Sequence, residues 1–384
     1  LSKKKTVAVV FGGSSPEHDV SVVSAQQFMD AMDQRKYKVV PVYLDFENSF
    51  YTGTNLRNTN LFRPFPKGLK KISFDWGDDG PSYKIAGFEE ENRLDCVVPI
   101  CHGAFGEDGR LQAYFELIGV PVAGFISSNA AFAMRKDVTK LIVKESGVNI
   151  LPHVVVKSCQ NLNLNSILKD IKSTLGFPVV IKPASLGSSI GVGIAKDEAE
   201  FRELISKTFR KDKVVIVEPK VENLVEYNIS VACRDEDVVF SAIERPKTSL
   251  ELLDFKEKYL TGGGGTKGEF KPSEGMLSLT REINPNIPSK IAESLYEFAR
   301  NSFRALGMRG APRIDFLCDE KRQEIWFNEI NTIPGSYGYF LWEASPKSPM
   351  LFPELIDHLI EEAIYSNFKS FDDPVPQEAY LLPR

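Results

Sequence analysis

The strongest constraint on the fold is a short unit met at the start of the chain and again near residue 100. "KTVAVVFGG" is an unbroken apolar run closed by two glycines, and the amphipathic stretch "VSVVSAQQFMDAMD" comes after it. Such a pattern is a buried strand, a glycine turn and a helix. "DCVVPICHG" with "GRLQAYFELIG" behind it repeats the unit, and "YKVVPVYLD" adds a strand between them. Alternating strands and helices predict a doubly wound parallel sheet of the α/β class. The segment 46–92, rich in Asn, Gly, Pro and aromatic residues, reads as a variable insertion or a surface excursion.

Near "AFAMRKDVTKLIVKESGVNILPHVVV" the pattern becomes a short helix, a proline-marked turn and a new strand, so the amino-terminal domain is taken as 1–135. "PVVIKPASLGSSIGVGIA" then reads as two strands joined by a Gly/Ser loop, "EAEFRELISKTFR" as a helix and "KVVIVEPKV" as a strand, an α+β module over 136–218. The third part, 219–384, opens with the strand-like "EYNISVAC" and "VVFSAIE" and crosses a glycine-rich loop at 254–275. It then runs through a helix at 287–306 into "APRIDFLCD" and "EIWFNEINT". A length of 384 residues suits two or three domains of this kind.

Hydrophobic content of 42% with 26% charged residues is that of a globular protein. The net charge of −5 gives no electrostatic reason to expect nucleic acid, so any anionic ligand must be held by locally placed Lys and Arg. Apolar runs fall short of the ~18 residues of a membrane span, and the start leads into a strand rather than a signal peptide. A cytoplasmic protein without membrane contact is expected. The five cysteines are scattered with no CxxC pair, which fits reduced thiols packed as small apolar groups.

Three regions carry candidates for chemistry. In "KPASLGSSIGVG" small residues let backbone N–H groups approach an anion, and the hydroxyls of Ser188 and Ser189 add donors. Phosphate is the natural guest, although the Walker order is absent and a plain hairpin has the same composition. Lys182, on the strand before the loop, and Lys136, on the boundary helix, would reach the phosphates. In "RID" and "NEINT" alternate residues of two predicted strands share a face, so Glu329 and Asn331 point the same way and Asp315 joins them if the strands are neighbours. Two carboxylates and a carboxamide are hard ligands suited to Mg²⁺. Arg313, on the face of Asp315, would stabilise a phosphoryl group or a tetrahedral oxyanion; the competing reading is a salt-bridged sheet edge. "GGSSPEHDVSVVSA" and "CHGAFGEDGRLQ" lie at the carboxyl ends of strands, where open α/β sheets bind ligands. Glu17 would hold an ammonium and the helix amino terminus after it a carboxylate, which together describe an amino acid. His102 either joins that site or caps a turn.

The order GGxSxEHxVSxxSA, HGxxGEDGxxQ, a lysine opening the central domain, KPxxxGSSxGV, a Lys-Tyr pair in a loop, RIDF and NEINTxPG resembles the D-alanine–D-alanine ligases of the ATP-grasp superfamily over nearly the whole chain. The resemblance implies an ATP-grasp fold and a ligase that joins two D-alanines through an acyl phosphate for peptidoglycan synthesis. It implies ATP and two Mg²⁺ ions, with Mn²⁺ as a substitute, and a homodimer acting on small amino acids. Glu17 would anchor the ammonium of the first D-alanine, linked to Ser188 and Tyr259 in a hydrogen-bonded network that closes the loop at 254–275. Ser21 and His102 would lie near that amino acid. Lys136, Lys182 and Lys258, with Ser189 and Asn328, would hold ATP, and Glu218, Val221 and Glu226 would surround its adenine and ribose. Asp315, Glu329 and Asn331 would bind the metal, while Arg313 and the backbone N–H of Gly335 would form an oxyanion hole.

The chain departs from the family pattern after Pro334-Gly335. There the family has a Met-Thr pair, then a Ser-Leu pair whose serine binds the second amino acid's carboxylate, ahead of "LWEAS". Here "SYGYF" intervenes, about four residues shorter, and Ser336, Tyr337 or Tyr339 would have to supply the hydroxyl. A related ligase with a different acceptor is therefore the alternative, and a non-catalytic nucleotide-binding protein a further one. Arg135 stands where the family commonly has an aspartate, a change expected to alter a local salt bridge.

Overall fold

A computed structural model describes residues 3–58, 62, 67–247 and 281–366. Among them three sheets are formed. The first contains β1 (Lys5–Gly12), β2 (Tyr37–Leu44), β3 (Phe50–Thr52), β4 (Lys70–Gly77), β5 (Gly80–Ile85), β6 (Glu91–Arg93) and β7 (Cys96–Pro99), in the order β6-β5-β4-β3-β2-β1-β7. β1 pairs in parallel with β2 and with β7. Helix α1 (His18–Ala31) connects β1 to β2, and α2 (Arg110–Leu117) and α3 (Ser127–Met134) follow β7. Val7 to Phe11 are fully buried, the pattern of a strand covered on both faces.

The segment expected to be a surface excursion instead extends this sheet. β3 to β6 continue it by antiparallel pairing. The alternation that builds β4 is short: Ile72 and Phe74 are buried while Ser73 and Asp75 are exposed. Its surroundings of Asn, Gly and Pro obscure that period in the sequence.

The second sheet is antiparallel and contains β8 (Val154–Lys157), β9 (Val179–Pro183), β10 (Gly193–Ala195) and β11 (Val214–Pro219), in the order β10-β9-β11-β8. Helices α5 (Leu164–Thr174) and α6 (Glu198–Thr208) bury Leu168, Ile171, Phe201 and Ile205 in its core. Each begins on a side-chain cap: Asn163 accepts from the Ser166 N–H and Asp197 from the Glu200 N–H. Helix α4 (Lys136–Glu145) lies between the first sheet and β8 in the chain.

The third sheet contains β12 (Leu224–Arg234), β13 (Asp237–Pro246), β14 (Arg281–Ile283), β15 (Arg313–Asp319) and β16 (Glu324–Asn331), in the order β14-β13-β12-β15-β16. Helix α7 (Ser289–Ala305) presents one stripe, Ile291, Leu295, Phe298, Ala299 and Phe303, to Ile229, Ile314, Phe316 and Phe327. Burying each of the large side chains in such a stripe contributes about 1.5–3 kcal/mol. After the short α8 (Tyr339–Glu343), helix α9 (Phe352–Ser366) returns to the first sheet. Its Phe352, Leu355, Ile356, Leu359 and Ile360 share one core with Val7, Val9, Phe28, Met29 and Val98. Lys5 pairs with Glu361 at 2.6 Å and Lys36 with Asp357 at 2.5 Å along the rim of that contact. No helix among the described residues is long and apolar enough to cross a membrane.

Candidate active site

The chain ends of all three sheets meet in one region. Glu17 stands immediately before α1 and is 7% exposed. Ser188, from the loop between β9 and β10, donates its hydroxyl hydrogen bond to Glu17 Oε1. That loop is curled by left-handed backbone at Ser188, Ser189 and Gly191, with φ of 51°, 56° and 80°. Lys136, the first residue of α4, donates to the Leu186 carbonyl at 2.7 Å and pairs with Glu329 Oε2 at 2.9 Å. One lysine thus ties the Gly/Ser loop to β16.

β15 and β16 are antiparallel neighbours, with Arg313 opposite Asn331 and Asp315 opposite Glu329. Side chains two apart on a strand share a face, so all four polar groups project together. The Arg313 guanidinium forks onto Asp315 through Nε–Oδ1 at 2.6 Å and a second bond to Oδ2 at 2.8 Å. Asn331 Oδ1 accepts from the Ile333 N–H at 3.2 Å. Among the described residues no group of three His, Cys, Asp or Glu side chains is gathered as a metal site. Asp315, Glu329 and Asn331 offer two carboxylates and one carboxamide, and Arg313 and Lys136 already hold both carboxylates in a cationic environment. This oxygen set suits Mg²⁺, which takes few protein ligands and keeps water and phosphate oxygens.

Behind this face lies a buried ionic cluster. Glu218, at the end of β11, is fully buried between Lys140 Nζ at 2.8 Å and Lys182 Nζ at 2.5 Å. Burial raises its carboxyl pKa, but the two lysines outweigh that and hold it at about 2. Lys182 also donates to Asn328 Oδ1 at 2.8 Å. Val221 and the half-buried Glu226 follow at the β11–β12 connection and on β12. Lys258 and Tyr259 lie outside the described residues.

On the first sheet, Ser21 accepts from the Gly12 N–H at 2.8 Å and donates to the Ile100 carbonyl, fastening α1 to the ends of β1 and β7. His102 is 4% exposed, with Nε2 at 3.3 Å from Ser24 Oγ; burial pulls its pKa down to about 4, so the ring is neutral. Gly103, with φ of 76°, packs so closely that a Cβ there would lie 2.3 Å from Ser15 Oγ and 2.7 Å from Glu17 Oε2. A second carboxylate, not singled out in the sequence, stands beside it. Glu107 accepts from the Gly103 N–H at 2.7 Å and the Ile333 N–H at 3.2 Å, bridging the first sheet to the turn after β16. Desolvation, then the nearby Glu17, raise its pKa to about 8.

Family models described as "D-ala D-ala ligase N-terminus" and "D-ala D-ala ligase C-terminus" match residues 6–125 and 142–361. The chain belongs to the D-alanine–D-alanine ligase family. A D-alanine–D-alanine ligase of Thermosipho melanesiensis is 32% identical over 92% of this chain and 92% of its own length. Among solved structures, the VanG D-Ala:D-Ser ligase of Enterococcus faecalis superposes with a TM-score of 0.76 at 26% identity, covering 94% of this chain and all of its own. The D-alanine–D-alanine ligase of Coxiella burnetii has a TM-score of 0.77 at 23% identity, covering 95% of each chain, a likeness of fold. The fold is the ATP-grasp fold of these ligases, as the sequence implied.

Against the family pattern, the shortened segment after Gly335 adopts an unusual route. Ser336, Tyr337 and Gly338 are three consecutive left-handed residues, with φ of 48°, 53° and 57°. The coil sends Tyr337 inward, 1% exposed, to pack on Phe28 and donate to the Pro99 carbonyl at 3.2 Å. Tyr339 stacks on Phe352 at 4.6 Å. Both phenols are thus engaged with the first core. Ser336 remains at the site: its N–H donates to Ser24 Oγ at 3.1 Å and its hydroxyl to Gln27 Oε1. Beside Gly335 a Cβ would meet nothing within 4 Å among the described residues, which leaves room for a reacting group. Arg135 pairs locally with Asp137 at 2.6 Å.

Proposed function

We propose that this chain is an ATP-dependent ligase that joins two D-alanines to give D-alanyl-D-alanine, ADP and phosphate, acting as a cytoplasmic homodimer in peptidoglycan synthesis. The observation that carries the reading is the meeting, in a chain of this family, of Glu17–Ser188, Lys136–Glu329 and Arg313–Asp315, which draw together the loop before α1, the β9–β10 loop, helix α4 and strands β15 and β16. Glu17 takes the ammonium of the first D-alanine, with Ser188 hydrogen-bonded to the Glu17 carboxylate and Ser21 and His102 shaping the pocket. Lys136, Lys182, Ser189 and Asn328 receive the nucleotide phosphates, and Glu218, Val221 and Glu226 the adenosine. Lys258 and Tyr259 are assigned to the phosphates and to the Glu17–Ser188 network on the family pattern alone.

The first D-alanine's carboxylate attacks the γ-phosphate, giving an acyl phosphate and ADP. The second D-alanine's free amine then attacks that carbonyl and expels phosphate. Arg313 and the Gly335 N–H stabilise the tetrahedral oxyanion, at a turn where a Cβ on Gly335 would meet no described residue within 4 Å. Asp315, Glu329 and Asn331 would hold Mg²⁺, or Mn²⁺ in its place, which when bound neutralises charge on the transferred phosphoryl group. The neutral His102 adds no positive charge to compete with the donor ammonium for Glu17.

A second reading, a ligase that activates D-alanine for a different acceptor, is favoured by one observation. The hydroxyls of Ser336 and Tyr337 are committed to Gln27 and Pro99, and the Tyr339 ring is stacked on Phe352. A site built around a substrate carboxylate loses discrimination when its donor is lost. ADP release from Mg·ATP with D-alanine as sole amino acid, with the product identified by mass, separates the two. Formation of D-alanyl-D-alanine supports the first reading. ATP hydrolysis without dipeptide, relieved by another acceptor, supports the second, and no hydrolysis at all overturns both.

A further inference from the structure

Lys140 is a lysine that no step above uses, and it is 0% exposed. A lysine buried to this degree is expected only where its charge and donors are satisfied. Its ammonium lies 2.8 Å from Glu218 Oε1 and donates to the Phe327 carbonyl at 3.1 Å. Burial pulls its pKa down and Glu218 opposes that shift.

Two placements give this residue meaning. Lys136 and Lys140 are one turn apart on α4 and so share a face. They engage β16 two residues apart, Lys136 at Glu329 and Lys140 at Phe327, with Asn328, the partner of Lys182, between them. The second placement concerns charge. Glu218 is shared by two lysines, so the buried group of three carries one net positive charge. Without Lys140, the carboxylate would be matched by Lys182 alone and the group would be neutral.

We infer that Lys140 is a positioning residue for the nucleotide: by neutralising Glu218 and fixing it against β16, it leaves the charge of Lys182 available to the phosphates. The inference rests on the nucleotide reading above. It assigns Lys140 an electrostatic part that reaches the ligand through Glu218 and Lys182, without contact of its own.

The test compares ADP with adenosine by calorimetric titration of wild type, K140M and K140R, with circular dichroism to confirm folding. K140M is expected to weaken ADP on the order of tenfold to a hundredfold and adenosine clearly less, because the phosphates feel the lost charge whereas Glu218, the group nearest the adenosine, is still held by Lys182. K140R, which keeps the charge, is expected to stay near wild type. In steady-state assays the loss should fall on the KM for ATP with the amino-acid KM unmoved. If K140M does not fold, K140Q supplies the comparison, since it keeps a donor for the buried acceptors but no charge. Equal weakening of ADP and adenosine, or none of either, overturns the inference while the ligase reading stands. Failure of the wild type to bind ADP overturns the nucleotide reading and the inference with it.

Discussion

Gly103→Ala is a direct probe of the donor site, because its effect on Glu17 can be worked from distances. A Cβ at 103 would lie 2.7 Å from Glu17 Oε2, whereas ordinary van der Waals contact begins at 3.4 Å. The carboxylate must therefore retreat by roughly 0.7 Å, and misplacement of a binding group by about 1 Å can cost about a hundredfold. The backbone adds a penalty, since alanine at a φ of 76° costs about 1–2 kcal/mol. Gly147→Ala separates the two effects: its φ is 79° and a Cβ there meets nothing within 4 Å. Both variants share about the same backbone cost and should melt below wild type, Gly103→Ala by more because its Cβ would also crowd Ser15 Oγ at 2.3 Å. Only Gly103→Ala should raise the KM for the first amino acid, on the order of tenfold to a hundredfold, with the KM for ATP little changed. Initial rates of ADP release against amino-acid concentration read this directly. A folded Gly103→Ala enzyme with the wild-type amino-acid KM would refute the placement of the donor ammonium on Glu17.

Arg313→Ala removes the proposed oxyanion donor and should lower kcat by about 10²–10³ with little change in the KM for ATP; a fall confined to KM would place Arg313 in ground-state binding instead. Tyr337→Phe deletes one buried hydrogen bond to Pro99 and should lower stability by about 1 kcal/mol in denaturant titration. Its dipeptide yield should be retained, and a large loss of turnover would show that the phenol serves the acceptor site. His102 has its pKa pulled down to about 4 in the folded state from 6.5, so between those values the unfolded chain binds more protons and stability rises with pH. The full penalty, on the order of 3 kcal/mol, applies below about pH 4 and is gone above about pH 6.5. Melting curves of wild type and His102→Gln should converge as pH rises through that window, and identical pH dependence of the two would refute the buried neutral ring.

Much of the site's scaffold is legible in sequence because it obeys short periods. Glu329 and Asn331 share a face by strand alternation, and "RID" must lie on a neighbouring strand for Asp315 to join them, as the register shows. The Gly/Ser composition before "SSIGVG" announces a tight loop, and the left-handed serines are its consequence. Contacts between residues far apart in the chain are another matter. Lys140 and Glu218 belong to separate elements, and nothing in "DVTKLIVKE" separates a buried lysine from a solvated one. Glu107 is similar: it sits inside a quoted motif, yet its bond to the Ile333 N–H depends on how the first and third sheets meet. The turn "SYGYF" offers one glycine as a hint of left-handed backbone, and Ser336 and Tyr337 adopt it because burying the Tyr337 ring against Phe28 requires that route.

The return of α9 to the first sheet also bears on how the chain is made. The apolar faces of β1, β7 and α1 leave the ribosome more than 250 residues before Leu355 and Leu359, which cover them in the folded protein. During synthesis that surface is open, and contacts of such long sequence separation form slowly. Completion of the first core must therefore await translation of α9, so the amino-terminal unit does not mature as it emerges. A nascent chain halted before residue 350 would present an uncovered apolar face, the kind of surface that chaperones bind and that aggregates when they do not.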